Sequence, residues 1–273
     1  MKLAFTKMNG LGNDFMVVPW PSGHEPPGPE LVRRWADRRH GVGFDQLLLV
    51  DSERPAAGDA SYRIFNADGG EVEQCGNGVR CLARYLAPRF GSDLTLVSPA
   101  GAVAARVESA ERVSVDLGVP DFRPAALPFL DVEERDRYRL EVAGRTVELG
   151  AVSMGNPHAV IAVDAVAAAP VELVGPALQR HPSFPRSVNV GFMEHVSDGR
   201  IRLRVYERGA GETLACGTGA AAAVAVGRRW GLLAENVAVE LPGGTLEVNW
   251  RGPGSPLWQT GPTTAVYEGY IEL

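Results

Sequence analysis

"NADGGEVEQCGNGVRC" (Asn66 to Cys81) and "ERGAGETLACGTG" (Glu207 to Gly219) share one frame. Gly70, Glu71, Cys75, Gly76 and Gly78 of the first fall on Gly211, Glu212, Cys216, Gly217 and Gly219 of the second, 141 residues further on. The correspondence continues outward. At a spacing of 143, "GNDF" (Gly12 to Phe15) meets "GNPH" (Gly155 to His158), and Gln46 meets Asn189. Several matches in one order at nearly constant spacing mark an internal repeat, so the chain is read as two copies of one domain. With 273 residues and 45% hydrophobic content, each copy is large enough to bury a core of its own.

Alternating strand-like runs are "KLAFTKM", "QLLLVD", "YRIFNAD", "LTLVS", "RVSVDLG", "AVIAVD", "RIRLRVYERG" and "VAVELPGGTLEVNW". Helix-like runs are fewer: Pro29 to Arg38, Gly78 to Leu86, Val171 to Gln179 and Thr218 to Trp230. The fold class expected is therefore α+β. Proline-rich breaks lie at "PSGHEPPGPE" and "GVPDFRPAALPF", and the second, near Val119, is the better place for a domain boundary.

Composition removes several functions. A net charge of −6 with scattered basic residues offers no footprint for nucleic acid. No window approaches eighteen uninterrupted apolar residues, and "MKLAFTKMNGLGNDF" lacks both a long apolar core and a small-residue cleavage site, so a soluble cytoplasmic protein is expected. The three cysteines form neither a Cys-x-x-Cys pair nor a Cys/His cluster at zinc spacing, which argues against a metal site or a disulfide scaffold.

Each repeated cysteine precedes Gly-x-Gly and then a helix-like run, so Cys75 and Cys216 are both placed at helix N-termini. There the first-turn N–H groups lack partners inside the helix, and the dipole favours negative charge. The expectation is a lowered thiol pKa, with glycines leaving room for a small carboxylate to meet the backbone. Two such thiols confronting one ligand suit stereoinversion, one removing a proton and the other returning it from behind. Cys81, inside the helix, is read as a small buried hydrophobe.

"MNGLGNDF", "QCGNGVRC", "GNPHAV" and "ERGAGETLACGTGA" together resemble the diaminopimelate epimerase family over essentially the whole chain. Asn9 stands where members often have histidine, which touches nothing catalytic. The resemblance implies interconversion of LL- and meso-diaminopimelate in lysine biosynthesis, without pyridoxal phosphate or any other cofactor. It implies two pseudo-symmetric α/β domains, each a mixed sheet or barrel curled around a central helix, with the substrate between them. The C-terminal segment would return to the first domain, giving 1–118 plus 263–273 and 119–262. A homodimer is also suggested.

Carried over residue by residue, Cys75 and Cys216 are the acid/base pair, and His158 and Glu207 help to ionise the thiols. Gly76, Asn77, Gly217 and Thr218 offer backbone N–H groups to the reacting carboxylate. Asn13, Gln46, Asn66, Asn156, Asn189, Glu207 and Arg208 complete the substrate shell. Chemically, Glu207 suits an ammonium group and Arg208 a carboxylate. The alternatives are a proline-type racemase or an acid-dependent isomerase of the same fold, a thiol redox protein, and a non-catalytic ligand-binding module. The cysteine pair argues against the acid-dependent isomerase. The 141-residue separation of Cys75 and Cys216 is unlike a redox motif.

Overall fold

The computed structural model of the chain describes residues 2–51, 53, 58–72, 75–130 and 133–272. The chain divides into two compact units, Met1–Asp116 with Thr260–Leu273, and Leu117–Gln259. The division falls at 116/117 and 259/260, where the sequence placed it at 118/119 and 262/263; the outer limits Met1 and Leu273 lie outside the described residues.

The first unit runs through β1 (Lys2–Gly10), β2 (Asn13–Pro19), α1 (Pro29–Ala36), β3 (Gln46–Asp51), β4 (Ala60–Asn66), β5 (Glu71–Val72), α2 (Gly76–Phe90), β6 (Asp93–Ser98), β7 (Gly101–Val107) and β8 (Val113–Asp116). The second follows with β9 (Tyr138–Val142), β10 (Arg145–Ser153), β11 (Pro157–Val163), α3 (Val171–Gln179), β12 (Asn189–Ser197), β13 (Arg200–Glu207), β14 (Gly211–Thr213), α4 (Gly217–Arg229), β15 (Asn236–Leu241) and β16 (Gly244–Trp250). After β17 (Leu257–Gly261), the last strand, β18 (Thr264–Glu272), belongs to the first unit.

Strand pairing repeats in the same order, with the first repeated hairpin shifted by one residue, Gly10 facing Asn13 but Ser153 facing Pro157. In the first unit β18, β1 and β2 pair antiparallel, β2 pairs parallel with β3, β3 antiparallel with β4, β4 parallel with β6, and β6, β7 and β8 antiparallel. In the second, β9, β10 and β11 pair antiparallel, β11 parallel with β12, β12 antiparallel with β13, β13 parallel with β15, and β15 antiparallel with β16. Phe15 faces Gln46 across the first parallel pair and His158 faces Asn189 across its counterpart, the same two positions at a spacing of 143. A parallel pair needs a crossover, and the four crossovers carry α1, α2, α3 and α4.

The two helices of each unit lie on opposite faces of its sheet. Val32 and Trp35 of α1 pack with Met16, Val18, Leu47 and Leu49, while the alternate residues Phe15 and Leu48 approach Gly78 of α2. Both faces of these strands are thus apolar. α2 packs against β1, β2, β3, β6, β7 and β8, and α4 against β10, β11, β12, β13 and β16. Such a central helix must be small and apolar all round. In α4, Gly219 through Gly227 are all buried, and a Cβ at Gly150 of β10 would come 2.5 Å from Val226.

The first unit buries one lysine. Lys7 bonds to the Gly43 carbonyl and to Asp14 (2.6 Å), and Arg38 holds the other Asp14 oxygen at 2.8 Å. Burial alone would raise the Asp14 pKa, but hydrogen bonds from Arg38 and Lys7 outweigh it and hold the carboxyl well below the usual range. Asp45, bonded to the same Arg38, is pushed up by its burial. The folded state therefore binds fewer protons at Asp14 than the unfolded chain, so its contribution is complete above about pH 4 and declines as acid is added. Asp14→Asn should cost about 3 kcal/mol in urea unfolding at pH 7, because Lys7 is left buried without its anion. The gap to the parent should narrow below pH 4; a loss under half of that figure would show that Lys7 finds another partner.

Candidate active site

Both repeated cysteines occupy N-cap positions. Cys75 (φ −146°) and Cys216 (φ −114°) are extended, and their carbonyls accept the first helical bonds from Val79 (2.9 Å) and Ala220 (3.0 Å). The sulfurs differ. Cys216 Sγ accepts a bond from the Gly219 N–H at 3.3 Å, whereas Cys75 makes no capping bond. A side chain at 219 would put Cβ 3.2 Å from Cys216 Sγ, which explains the second glycine of the motif.

Around Cys75, the strand register assembles amides. Asn13, at the start of β2, directs Nδ2 toward Cys75 Sγ at 3.8 Å. Gln46 pairs with Asn66 across β3 and β4, and donates from Nε2 to Asn66 Oδ1 at 2.9 Å. The carbonyl oxygens Asn13 Oδ1 and Gln46 Oε1 are buried with no protein partner. Buried acceptors left unmet are costly, so these two suit the N–H donors of a ligand. Gly76 and Asn77 are buried in the first turn of α2, and the Asn77 side chain turns inward to accept from Arg80 at 2.6 Å.

Around Cys216, the equivalent positions carry other chemistry. Asn189 donates to the Pro157 carbonyl at 3.1 Å and accepts from the Arg208 N–H at 2.8 Å, tying β11 to the end of β13. His158 Nε2 lies 2.9 Å from Asn156 Oδ1, Asn156 Nδ2 donates to Thr218 Oγ1 at 3.3 Å, and Thr218 Oγ1 lies 3.7 Å from Cys216 Sγ. Glu207 accepts from Thr213 and from the Cys216 thiol. Gly217 is buried, while Arg208 is exposed, with Nη1 donating to the Arg186 carbonyl at 3.2 Å.

One expectation is corrected. The helix N-terminus does not lower the Cys216 pKa: burial first, then the Glu207 charge and hydrogen bond, push it well above the ordinary thiol value and outweigh the Gly219 N–H. Cys216 therefore rests as a thiol. His158 is neutral near pH 7, because burial first and then the nearby Arg208 hold its pKa down at about 3. Its connection to Cys216 in this unit passes through Asn156 and Thr218.

Three contributors were not anticipated from sequence. Thr213 fixes Glu207, and fully buried Gln259 donates to the Gly217 carbonyl at 2.7 Å. Arg80 is fully buried inside α2, and nothing in the sequence sets it apart from Arg84 and Arg89 of the same helix. Among the described residues, no group of three or more His, Cys, Asp or Glu is placed to hold a metal ion. No helix there is long and apolar enough to cross a membrane.

The family profile for diaminopimelate epimerase matches residues 5–123 and 150–266. A diaminopimelate epimerase of Alkalilimnicola ehrlichii is 52% identical over 278 residues, covering 100% of both chains. Among solved structures, a hydroxyproline epimerase of Agrobacterium vitis superposes with a TM-score of 0.70 at 18% identity, covering 99% of this chain and 92% of that one. A PhzF-family phenazine biosynthesis protein of Enterococcus faecalis superposes at 0.67 and 15% identity, covering 100% of each. These last two share the α+β, two-domain fold.

The neutral state of His158 is directly measurable. Its ring resonances should stay flat between pH 8 and pH 5 in an NMR titration, because burial disfavours the cation. Unfolding then takes up a proton at this residue, so its contribution to stability is lost as pH falls from 6.5 toward about 3. A midpoint near 6.5 would show an imidazole open to water.

Proposed function

The chain belongs to the diaminopimelate epimerase family, and from that membership we propose how its own residues carry out the reaction. It is an isomerase that interconverts LL- and meso-diaminopimelate, a step of lysine biosynthesis. The observation that carries the assignment of roles is the repeated Cys–Gly–x–Gly N-cap, one in each unit.

Inversion at an α-carbon needs one group to take the proton and another to supply a new one. Cys75 and Cys216 fill these roles. The carbanion is stabilised by N–H groups of Gly76 and Asn77 in α2, and of Gly217 and Thr218 in α4, aimed at the α-carboxylate. Asn13 Oδ1 and Gln46 Oε1 take substrate N–H donors, and Asn66 holds Gln46 in place. When Cys216 must act as base, its proton has an acceptor in Glu207, steadied by Thr213. His158 and Asn156 orient Thr218 as neutral donors and acceptors, and Asn189 fixes the Arg208 backbone. Arg208 then presents its guanidinium to a carboxylate of the substrate. The reading needs no cofactor. We place the enzyme in the cytoplasm, and as a homodimer, the dimer being supported by the exposed Val266, Tyr267 and Tyr270 along β18.

Two experiments test these roles. In deuterated water, early turnover of LL-diaminopimelate should place deuterium at the inverted α-carbon of the product, while recovered substrate stays largely unlabelled. Alanine at Cys75 or Cys216 should abolish inversion; product that keeps its own α-hydrogen would rule out two thiols. Arg208→Lys should lower kcat/KM by about 100-fold, since a point charge cannot replace a planar fork. Near-normal kcat/KM in that variant would remove Arg208 from the substrate shell.

A further inference from the structure

The strands that lead to the two cysteines are short: β5 has two residues and β14 has three. Glycines with positive φ turn the chain into them, Gly69 (87°) in the first unit, Gly209 (80°) and Gly211 (79°) in the second. So short a pairing has few ladder bonds and is weakly held by itself. Each strand is tied a second time by a side-chain pair. Arg63 of β4 donates from Nε and Nη2 to the two Glu71 oxygens at 2.7 and 2.6 Å. Arg204 of β13 donates from the same two nitrogens to the two Glu212 oxygens at 2.5 and 2.7 Å. A planar fork meeting a carboxylate through two bonds fixes orientation as well as distance.

Arg204 and Glu212 stand 141 residues after Arg63 and Glu71, the spacing of the cysteines themselves. The registers agree, Phe65 facing Glu71 and Tyr206 facing Glu212. Around the pair the two copies have parted, Phe65 corresponding to Tyr206, Asn66 to Glu207 and Val72 to Thr213. Both pairs are partly open to water, where an ion pair adds little to stability, so stability does not account for keeping one geometry twice. Strand alternation supplies another role. Tyr206, beside Gly175 of α3, shares its face of the sheet with Arg204 and Glu212. Val205, beside Gly219 of α4, shares the opposite face with Glu207 and Thr213. The pair therefore grips the hairpin from behind the site.

Resting on the two-thiol reading above, we propose that Arg204 and Glu212 are positioning residues: by fixing β14 from the α3 face they hold Thr213 against Glu207, and Glu207 against the Cys216 thiol, with Arg63 and Glu71 anchoring β5 in the same way. Thr213 directly follows Glu212, so a strand free to shift at Glu212 carries the Thr213 hydroxyl away from Glu207. The Glu207 carboxylate, which accepts from the Cys216 thiol, then loses the bond that orients it. Helix α4, buried and packed on five strands, stays in place, so the first-turn N–H groups that meet the substrate carboxylate are undisturbed. Proton transfer at Cys216 suffers while substrate binding is kept.

The test compares Glu212→Gln and Arg204→Met, singly and together, and the exchanged pair Arg204→Glu with Glu212→Arg, all in the full chain. Each single variant should lower kcat about tenfold, with KM and the urea midpoint close to the parent's, because a misplaced proton acceptor slows transfer without weakening binding. The double variant should lose no more than either single one, as partners in one interaction do, and the exchanged pair should recover part of the loss. In protein without substrate, amide hydrogen exchange across Gly211–Thr213 should quicken in the single variants while α4 keeps its protection. Parental kcat in both single variants overturns the proposal, as do single losses that multiply in the double variant, a loss confined to KM, or unmoved exchange in β14. If Arg204→Met fails to fold, Glu212→Gln, nearly the same in size, decides alone. A parent chain that inverts no diaminopimelate would strike the two-thiol reading instead, while the exchange rates still report whether the pair anchors β14.

Discussion

A helix whose first turn is buried leaves the N–H groups of that turn to be met by something other than bulk solvent, and this constraint organises both units. The first residues of α2, from Gly76 to Ala83, are buried, and so is α4 from Gly219 to Gly227. Each helix enters a sheet that wraps it, so the orphan donors open inward, away from bulk solvent. In α4 one of them is met by the Cys216 sulfur itself. The rest form a fixed array of positive dipole ends, which favours an anion. Substrate binding and carbanion stabilisation thus draw on what the fold leaves unsatisfied.

Duplication explains the sameness of the two units, and divergence at a few positions explains their chemistry. The register of the parallel pair β2–β3 recurs in β11–β12, and the turn glycines Gly12 and Gly155 share a φ of 86°. Against that common frame, Phe15 is replaced by His158, Asn66 by Glu207, and Arg80 by Ala221. Each exchange alters charge or hydrogen bonding near a sulfur while leaving the strand or helix intact. The backbone was kept as a template, and the electrostatics around each thiol were set separately.

Much of this was legible in the residues. The repeat predicted two like units, and the helix at Val171–Gln179 matches to the residue. The α2 helix instead starts at Gly76 and runs past Pro88 to Phe90, because Gly76 and Gly78 are buried among strands that override their low helix propensity. Strands such as β12 (Asn189–Ser197) escaped notice because burial on both faces erases polar–apolar alternation along much of their length. At the site, Cys75, Cys216 and the amide shell could be named from motifs. The direction of the Cys216 pKa could not, since it depends on how deep the sulfur lies and on a carboxylate brought in from β13. Gln259 left no trace, because its partner is a main-chain carbonyl and any sequence may stand beside that.

The pairing of β18 with β1 also bears on how the chain is made. Glu272 lies opposite Lys2, so β1 waits for the much later β18 before its edge is filled. The second unit has no such dependence, because its counterpart strand β9 precedes β10 by a two-residue turn. Closing a loop of nearly the whole chain is slow compared with closing a hairpin. During synthesis the second unit is therefore the first that can be completed, and the N-terminal unit matures after it, in reverse of the order of translation.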